Sequence, residues 1–83
     1  MAKIKLYTTA TCAYCRAEKA FLAAHNLDFS EIHVDQDQTA AEEMFKISGQ
    51  LGVPFTVITQ DDGTEIGILG FDQPRLSAAL GIG

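Results

Sequence analysis

The chain changes its hydrophobic period at Cys12, and this change limits the folds that it can adopt. Residues 3–8 alternate polar and apolar side chains and are rich in strand-forming residues, which predicts a first strand. After a short polar loop, apolar residues recur at the spacing of an amphipathic helix: Ala17, Ala20, Phe21 and Ala24, with Arg16, Glu18 and Lys19 off this stripe. We therefore expect a helix that begins at Cys12 and ends near His25-Asn26.

The following residues predict a second strand and a second helix. Segment 29–35 alternates again, and only the side that carries Ile32 and Val34 is wholly apolar, so we expect an edge strand. Candidate caps at residues 37–39 introduce a second amphipathic segment, which ends near Ser48-Gly49. Its apolar residues are Ala41, Met44, Phe45 and Ile47.

The last third of the chain predicts a hairpin and a short helix. Residues 55–59 and 64–69 are strand patterns, and the turn sequence Asp61-Asp62-Gly63 lies between them. Asp72 and Pro74 are typical of a helix start, and the apolar residues that follow are Leu76, Ala79 and Leu80. The predicted order, β-α-β-α-β-β-α, indicates an α/β fold in which three helices cover both faces of a four-stranded mixed sheet.

Length and charge exclude several classes of protein. With 83 residues, the chain is expected to form one domain that spans residues 1–83. Acidic residues outnumber basic ones by 11 to 6, for a net charge of −5, so we expect no nucleic-acid partner. No apolar run approaches the ~18 residues of a membrane span, and the N-terminus shows no signal-peptide pattern. We therefore expect a soluble, cytoplasmic protein.

The two cysteines of the chain, Cys12 and Cys15, lie at the predicted junction of strand and helix. Because a spacing of three is close to one helical turn, both thiols should lie on one face, near enough to bridge. Unpaired backbone N–H groups and the positive end of the helix dipole stabilise a thiolate at the first position. We therefore predict that Cys12 is the exposed nucleophile and Cys15 the buried resolving thiol.

Two other interpretations of the cysteine pair stay open at this point. Cysteines at this spacing also form half of a zinc site, but His25 and His33 would have to supply the remaining ligands from separate elements. A pair of inert core thiols is the second alternative, which the junction position makes less favourable. We expect no metal site.

The cysteine motif is followed by two further motifs at matching places in the predicted fold. Val53-Pro54 opens the third strand, and Gly70-Phe71-Asp72 precedes the last helix. Together, these motifs resemble the glutaredoxin family over nearly the whole chain. The resemblance implies a thioredoxin fold, a cis Pro54, an attacking Cys12 and a resolving Cys15. It also implies that Tyr14 borders the substrate groove and that the Val53 backbone binds the substrate thiol.

Three residues depart from the commonest glutaredoxin pattern. Thr9 stands where many members have a lysine for a glutathione carboxylate, and Ala13 replaces the usual proline of the cysteine motif. Phe71 replaces a common second glycine, and either fills the space of the γ-glutamyl group or anchors the last helix in the core. The Gly70-Phe71 pair is similar to NrdH-type redoxins, which reduce ribonucleotide reductase and are recharged by thioredoxin reductase.

The resemblance predicts a thiol-disulfide oxidoreductase, an enzyme that reduces protein or mixed disulfides through Cys12 and Cys15. Its expected partners are disulfide-containing proteins, ribonucleotide reductase among them, and either glutathione as co-substrate or a thioredoxin-reductase-type flavoenzyme. We expect a monomer without a tightly bound cofactor. An iron–sulfur cluster carrier and a glutathione-binding module of the same family are the alternatives. The predicted substrate groove comprises Thr9, Tyr14, Val53, Pro54, Gly70, Phe71 and Asp72.

Overall fold

The computed structural model describes residues 3–82, and it confirms the predicted order of strands and helices. The elements are β1 (Lys3–Thr8), α1 (Ala13–Ala24), β2 (Ser30–His33), α2 (Gln38–Ser48), β3 (Phe55–Thr59), β4 (Glu65–Leu69) and α3 (Gln73–Leu80). Among these, β2 departs most from its predicted bounds. The expected strand over residues 29–35 has four residues, because its partner β1 ends opposite His33.

The four strands form one mixed sheet in the order β2-β1-β3-β4. β1 and β2 run parallel, as expected for strands joined through a helix, and Leu6 lies opposite Glu31. β3 runs antiparallel to both of its neighbours, and Phe55 lies opposite Tyr7 on one side and Leu69 on the other. β2 is therefore an edge strand, which confirms the prediction.

The helices cover both faces of the sheet, as predicted. On one face, here called the α2 face, the buried cluster comprises Tyr7, Ala40, Met44, Phe55 and Val57. The opposite face, here called the α1–α3 face, carries two apolar clusters that comprise Ile4, Leu6 and Leu22, and Ile58, Ile68 and Leu76. No helix within residues 3–82 has the length and apolar character needed to cross a membrane.

The buried stripe of α1 differs from the predicted one. The three alanines of the predicted stripe, Ala17, Ala20 and Ala24, are exposed. The buried residues of the helix are instead Cys15, Glu18 and Leu22. Phe21, the fourth residue of the predicted stripe, is partly buried against the clusters of the α1–α3 face. The prediction was wrong for the alanines because alanine is compatible with either environment, and it was wrong for Glu18 because it assumed that a glutamate must face water.

In α2, the apolar residues are also less buried than the pattern indicated. Met44 is fully buried and Ala40 nearly so, whereas Phe45 and Ile47 are 50 % and 52 % exposed. Ala40 and Met44 are four residues apart and lie on one line along the helix, which is the line that meets the sheet. Phe45 lies off this line, whereas Ile47, seven residues after Ala40, lies on it near the end of the helix and is still exposed.

Aspartates and glycines set the ends of α2 and α3. The side chains of Asp37 and Asp72 each accept a hydrogen bond, 3.1 Å long, from a backbone N–H group in the first turn. Gly49 and Gly81 end these helices in the left-handed conformation, at φ values of 77° and 68°. The predicted caps at Asp37 and Asp72 are therefore confirmed.

Candidate active site

The sheet register brings the predicted site segments to one end of the molecule. Tyr7, Phe55 and Leu69 lie side by side in the three neighbouring strands β1, β3 and β4. The segments that follow β1, precede β3 and follow β4 therefore lie at the same end of the sheet. These segments are residues 9–12, 53–54 and 70–72.

Hydrogen bonds hold the loop between β1 and α1 at two points. The carboxylate of Asp35, which follows β2, accepts a bond of 3.1 Å from the backbone N–H of Ala10. The Thr9 carbonyl accepts a bond of 3.4 Å from the Cys12 N–H. Asp35 was not among the predicted site residues, because nothing in its own segment indicates a partner 25 residues away.

Cys12 is the N-cap of α1, with an extended backbone conformation at φ −88° and ψ 111°. Its Sγ atom accepts a hydrogen bond of 3.1 Å from the backbone N–H of Cys15. Serine and aspartate oxygens commonly accept the same bond at helix starts. The cap therefore places a partly exposed sulfur where a helix favours negative charge.

Cys15 lies one turn further along α1, and its side chain is 1 % exposed. Burial is the main reason why the pKa of the Cys15 thiol is raised to about 12. The hydrogen bond with Cys12 and the charges of Cys12 and Glu18 act in the same direction, and the Thr9 backbone opposes them. Cys15 is consequently a protonated thiol at neutral pH. Cys12 is therefore more exposed than Cys15, as predicted.

Glu18 follows Cys15 on the buried face of α1, and its side chain is 0 % exposed. The Thr56 hydroxyl on β3 donates a hydrogen bond to Glu18 Oε2, whereas Oε1 has no hydrogen-bond partner within residues 3–82. Burial raises the pKa of this carboxyl, and the bond from Thr56 opposes the rise. The sequence prediction missed Glu18, although its spacing from Cys15 places it on the same face of the helix.

Tyr14 lies between the two cysteines on α1, and the Val53–Pro54 segment precedes β3 at the same end of the sheet. The Tyr14 side chain is 70 % exposed, and Pro54 is buried. The Val53–Pro54 peptide bond is cis, as the family resemblance implies. The Pro54 carbonyl accepts a hydrogen bond of 2.8 Å from the Gly70 N–H, so residues 53–54 and 70 are held together.

Phe71 and Asp72 both organise the start of α3. The Phe71 ring lies edge-on to Phe21, with 5.7 Å between ring centroids, and packs against the cluster of Ile58, Ile68 and Leu76. These contacts support the interpretation of Phe71 as a core anchor. Asp72 caps α3. The substrate contacts predicted for the groove stay predictions for all seven of its residues: Thr9, Tyr14, Val53, Pro54, Gly70, Phe71 and Asp72.

His25 lies at the opposite end of α1 from Cys12, whereas His33 lies beside Thr8 at the end of β2. His25 caps the C-terminal end of α1, and His33 ends β2 with its ring nitrogen 3.9 Å from Glu31. Within residues 3–82, no group of three or more His, Cys, Asp or Glu side chains is arranged to hold a metal ion.

Known proteins show the same combination of fold and motif. A glutaredoxin family model matches residues 4–62. The chain is 41 % identical over 77 residues to an uncharacterized glutaredoxin-like 8.6 kDa protein in the rubredoxin operon of Clostridium pasteurianum, covering 93 % of this chain and 96 % of that one. It is also 41 % identical over 54 residues to glutaredoxin 3 of Escherichia coli K12, covering 65 % of each.

A solved structure extends the similarity to three dimensions. The glutaredoxin-like protein NrdH-redoxin from Escherichia coli superimposes with a TM-score of 0.76 at 28 % identity, over 92 % of each chain. The predicted thioredoxin fold is thereby confirmed. Because the family match spans both cysteines and the Val53–Pro54 bond, the chain belongs to the glutaredoxin family of thioredoxin-fold redox proteins.

Proposed function

We propose that this protein reduces protein or mixed disulfides, with Cys12 as the nucleophile and Cys15 as the resolving thiol. The observation that carries the proposal is the unequal placement of the two sulfurs. Cys12 caps the helix at the surface, and Cys15 is 1 % exposed one turn below it. Membership of the glutaredoxin family supports the same activity.

The proposed reaction has two exchange steps. The Cys12 thiolate attacks one sulfur of the substrate disulfide, a mixed disulfide forms, and the other substrate sulfur leaves with the bonding electron pair and takes up a proton. Cys15 then loses its proton and attacks Cys12 Sγ. The intramolecular Cys12–Cys15 disulfide forms, and the second substrate sulfur leaves as a thiolate. Two electrons pass from the dithiol to the substrate.

The order of attack follows from burial and protonation. Because burial raises the pKa of Cys15 to about 12, very little Cys15 thiolate exists at neutral pH. A protein substrate also cannot reach a sulfur that is 1 % exposed. Cys15 can attack only after its target has been attached to Cys12, its hydrogen-bonded neighbour.

Substitution of each cysteine by serine tests these roles. We expect Cys12→Ser to abolish reduction of a mixed-disulfide substrate, and Cys15→Ser to accumulate the mixed disulfide on Cys12, detectable by intact mass. Thr11→Ser, at an exposed neighbouring position, is the matched control and should retain activity. Dithiol activity in Cys12→Ser would contradict the proposal. A cluster absorbance in anaerobically purified protein, lost in Cys12→Ser, would instead support the cluster-carrier alternative.

For the electron source, we propose a thioredoxin-reductase-type flavoenzyme in preference to glutathione. Thr9 has no charge to offer a glutathione carboxylate, and the Gly70-Phe71 pair is similar to that of NrdH-type redoxins. The structural neighbour NrdH-redoxin is described as having a thioredoxin-like activity profile. Ribonucleotide reductase is accordingly among the proposed substrates.

Coupled turnover assays with the two reductants separate these sources. We expect efficient turnover with the flavoenzyme and slow turnover with glutathione. Thr9→Lys restores a cation at that place and should lower the KM for glutathione on the order of tenfold, as one added charge-assisted bond would. Efficient turnover of the unmodified protein with glutathione and glutathione reductase would contradict the preference.

A further inference from the structure

A buried carboxyl lies next to the resolving thiol. Cys15 and Glu18 are three residues apart on the buried face of α1, and their side chains are 1 % and 0 % exposed. Side chains at this spacing are neighbours on a helix surface. Burial is the largest cause of the raised pKa of Cys15, and the charge of Glu18 adds to it.

The Glu18 carboxyl accepts fewer hydrogen bonds in the described structure than its two oxygens could accept. Thr56 donates a hydrogen bond to Oε2, and Oε1 has no hydrogen-bond partner within residues 3–82. A buried carboxyl without a full set of partners destabilises a fold, and an apolar side chain of similar volume would avoid this cost. Stability alone therefore gives no reason for a glutamate here.

Two pairs of charged side chains on this face of the sheet are bonded to each other and not to Glu18. Lys19 on α1 and Glu31 on β2 pair with each other, with 2.9 Å between Nζ and Oε2. On α3, Arg75 pairs with Asp72 at 3.6 Å, near the surface. The charge of Glu18 contributes to the raised pKa of Cys15, which lies on the same buried face of α1.

We propose that Glu18 is the proton acceptor for Cys15 in the second exchange step, an inference that rests on the proposed dithiol function. As Cys15 Sγ attacks Cys12 Sγ, the thiol proton passes to the Glu18 carboxylate. The bond between Cys12 and the substrate sulfur breaks, and the substrate leaves as a thiolate with the electron pair. The protonated carboxyl then gives its proton to that thiolate or to water, which restores the carboxylate.

A base inside the protein can assist the second exchange step because the Cys15 thiol is buried. Water and hydroxide have little access to a thiol that is 1 % exposed, so a base supplied from inside the protein removes an obstacle to the second step. The Thr56 hydroxyl holds one carboxyl oxygen and leaves the other free to accept a proton. Glu18 is a positioned base that acts through Cys15, and it has no predicted contact with substrate.

A purely electrostatic role for Glu18 predicts the opposite result. The negative charge of Glu18 raises the pKa of Cys15, so removal of the charge would make the Cys15 thiolate easier to form. If Glu18 acts only through its charge, Glu18→Gln should therefore speed the second step. If Glu18 accepts the proton, the same substitution should slow it.

Stopped-flow release of a coloured aromatic thiolate from its symmetrical disulfide separates the two steps. Attack by Cys12 releases the first equivalent, and attack by Cys15 releases the second. We expect Glu18→Gln to slow only the second release, on the order of 100-fold at neutral pH, which is within the range for loss of a general base. Glu42→Gln, on an exposed face of α2, is the matched control and should change neither release.

The pH profile provides a second measurement that needs no glutamate variant. In the unmodified protein, the rate of the second release should rise with pH and level off once Glu18 is ionised. Thr56→Val removes the bond that lowers the pKa of Glu18, so its profile should level off at higher pH. In Glu18→Gln, the rate should rise about tenfold per pH unit throughout, because only direct ionisation of Cys15 remains.

An unchanged or faster second release in Glu18→Gln, while the unmodified protein releases two equivalents, would overturn the role of Glu18 and leave the dithiol function intact. An unmodified profile that never levels off would overturn it as well. Release of one equivalent only by the unmodified protein would instead overturn the proposed function, together with this inference.

Discussion

The two faces of the sheet bury different kinds of side chain. On the α2 face, Met44 and its neighbours form a cluster that is apolar apart from the hydroxyl of Tyr7. On the α1–α3 face, three buried polar side chains, Thr8, Glu18 and Thr56, accompany the apolar clusters. The cysteine pair belongs to the second face, since α1 carries it.

This difference predicts that substitutions on the two faces have different effects. The α2 face buries apolar side chains and few polar groups. Substitutions there should therefore change the free energy of unfolding and should not change the reactivity of the thiols. The α1–α3 face contains carboxyls whose protonation depends on their surroundings, so substitutions there should show their effects through pH.

The largest expected effect is on the α2 face. Met44→Ala removes a fully buried side chain and should lower the free energy of unfolding by about 2–5 kcal/mol, measured by urea denaturation. The neighbouring Phe45 is half exposed, and Phe45→Ala should cost less than about 1 kcal/mol. The alkylation rate of Cys12 should not change in either folded variant. A changed rate would show that the two faces are coupled.

Glu18→Gln should change how stability depends on pH. Burial raises the pKa of Glu18 in the folded state above the ordinary value of 4.5, so the folded protein binds this proton more tightly than the unfolded chain does. The protein therefore loses stability as pH rises from 4.5 to the folded pKa, by about 1.4 kcal/mol per pH unit of that window. Glu18→Gln should remove this loss and be more stable than the unmodified protein at neutral pH.

Urea denaturation at a series of pH values measures the difference between the two proteins. Equal stability of Glu18→Gln and the unmodified protein at every pH would show that the folded state does not favour the protonated carboxyl. Glu42→Gln, in an exposed position, controls for the loss of one acidic group.

Glu31→Gln should show a smaller effect of opposite sign. Burial raises the pKa of Glu31, but the hydrogen bonds from Lys19 and Thr8 and the charges of Lys19 and His33 outweigh it, so the folded pKa lies below 4.5. The resulting stability is present above pH 4.5 and is lost as pH falls through the folded pKa.

The side chains of Glu31 and Lys19, which form an ion pair, are both partly exposed. Glu31→Gln should therefore lower the free energy of unfolding by about 1 kcal/mol at neutral pH and by almost nothing in acid. The same denaturation series measures this cost. A loss that persists unchanged in acid would mean that Glu31 contributes through packing and not through its charge.

Local patterns predicted most of the fold. The turn Asp61-Asp62-Gly63 joins β3 and β4 as expected, and Asp37 and Asp72 cap their helices. These features were predictable because the side chain and the backbone group that it serves lie within three residues of each other. The same reasoning located Cys12, whose cap bond to Cys15 is local.

Contacts between distant segments were not predictable in the same way. The partners of Glu18 and Asp35 lie 38 and 25 residues away, on Thr56 and Ala10. The residues around Glu18 and Asp35 do not indicate which distant residue each will contact. The prediction for Glu18 therefore rested on hydropathy alone, which placed it on the solvent side of the helix. The exposure of Phe45 was missed for a related reason, because a helical pattern does not show how much of the helix the sheet will cover.

The amino-acid sequence by itself determined the order of the elements, the helix caps and the placement of a cysteine pair at a helix start. These depend on backbone preferences and on hydrogen bonds between near neighbours. Tertiary structure decided which face of α1 is buried, and hence that a carboxyl shares the buried face of the helix with Cys15. The physical reason is that burial of a charged group depends on a hydrogen-bond partner, and here the partner comes from a strand far along the chain.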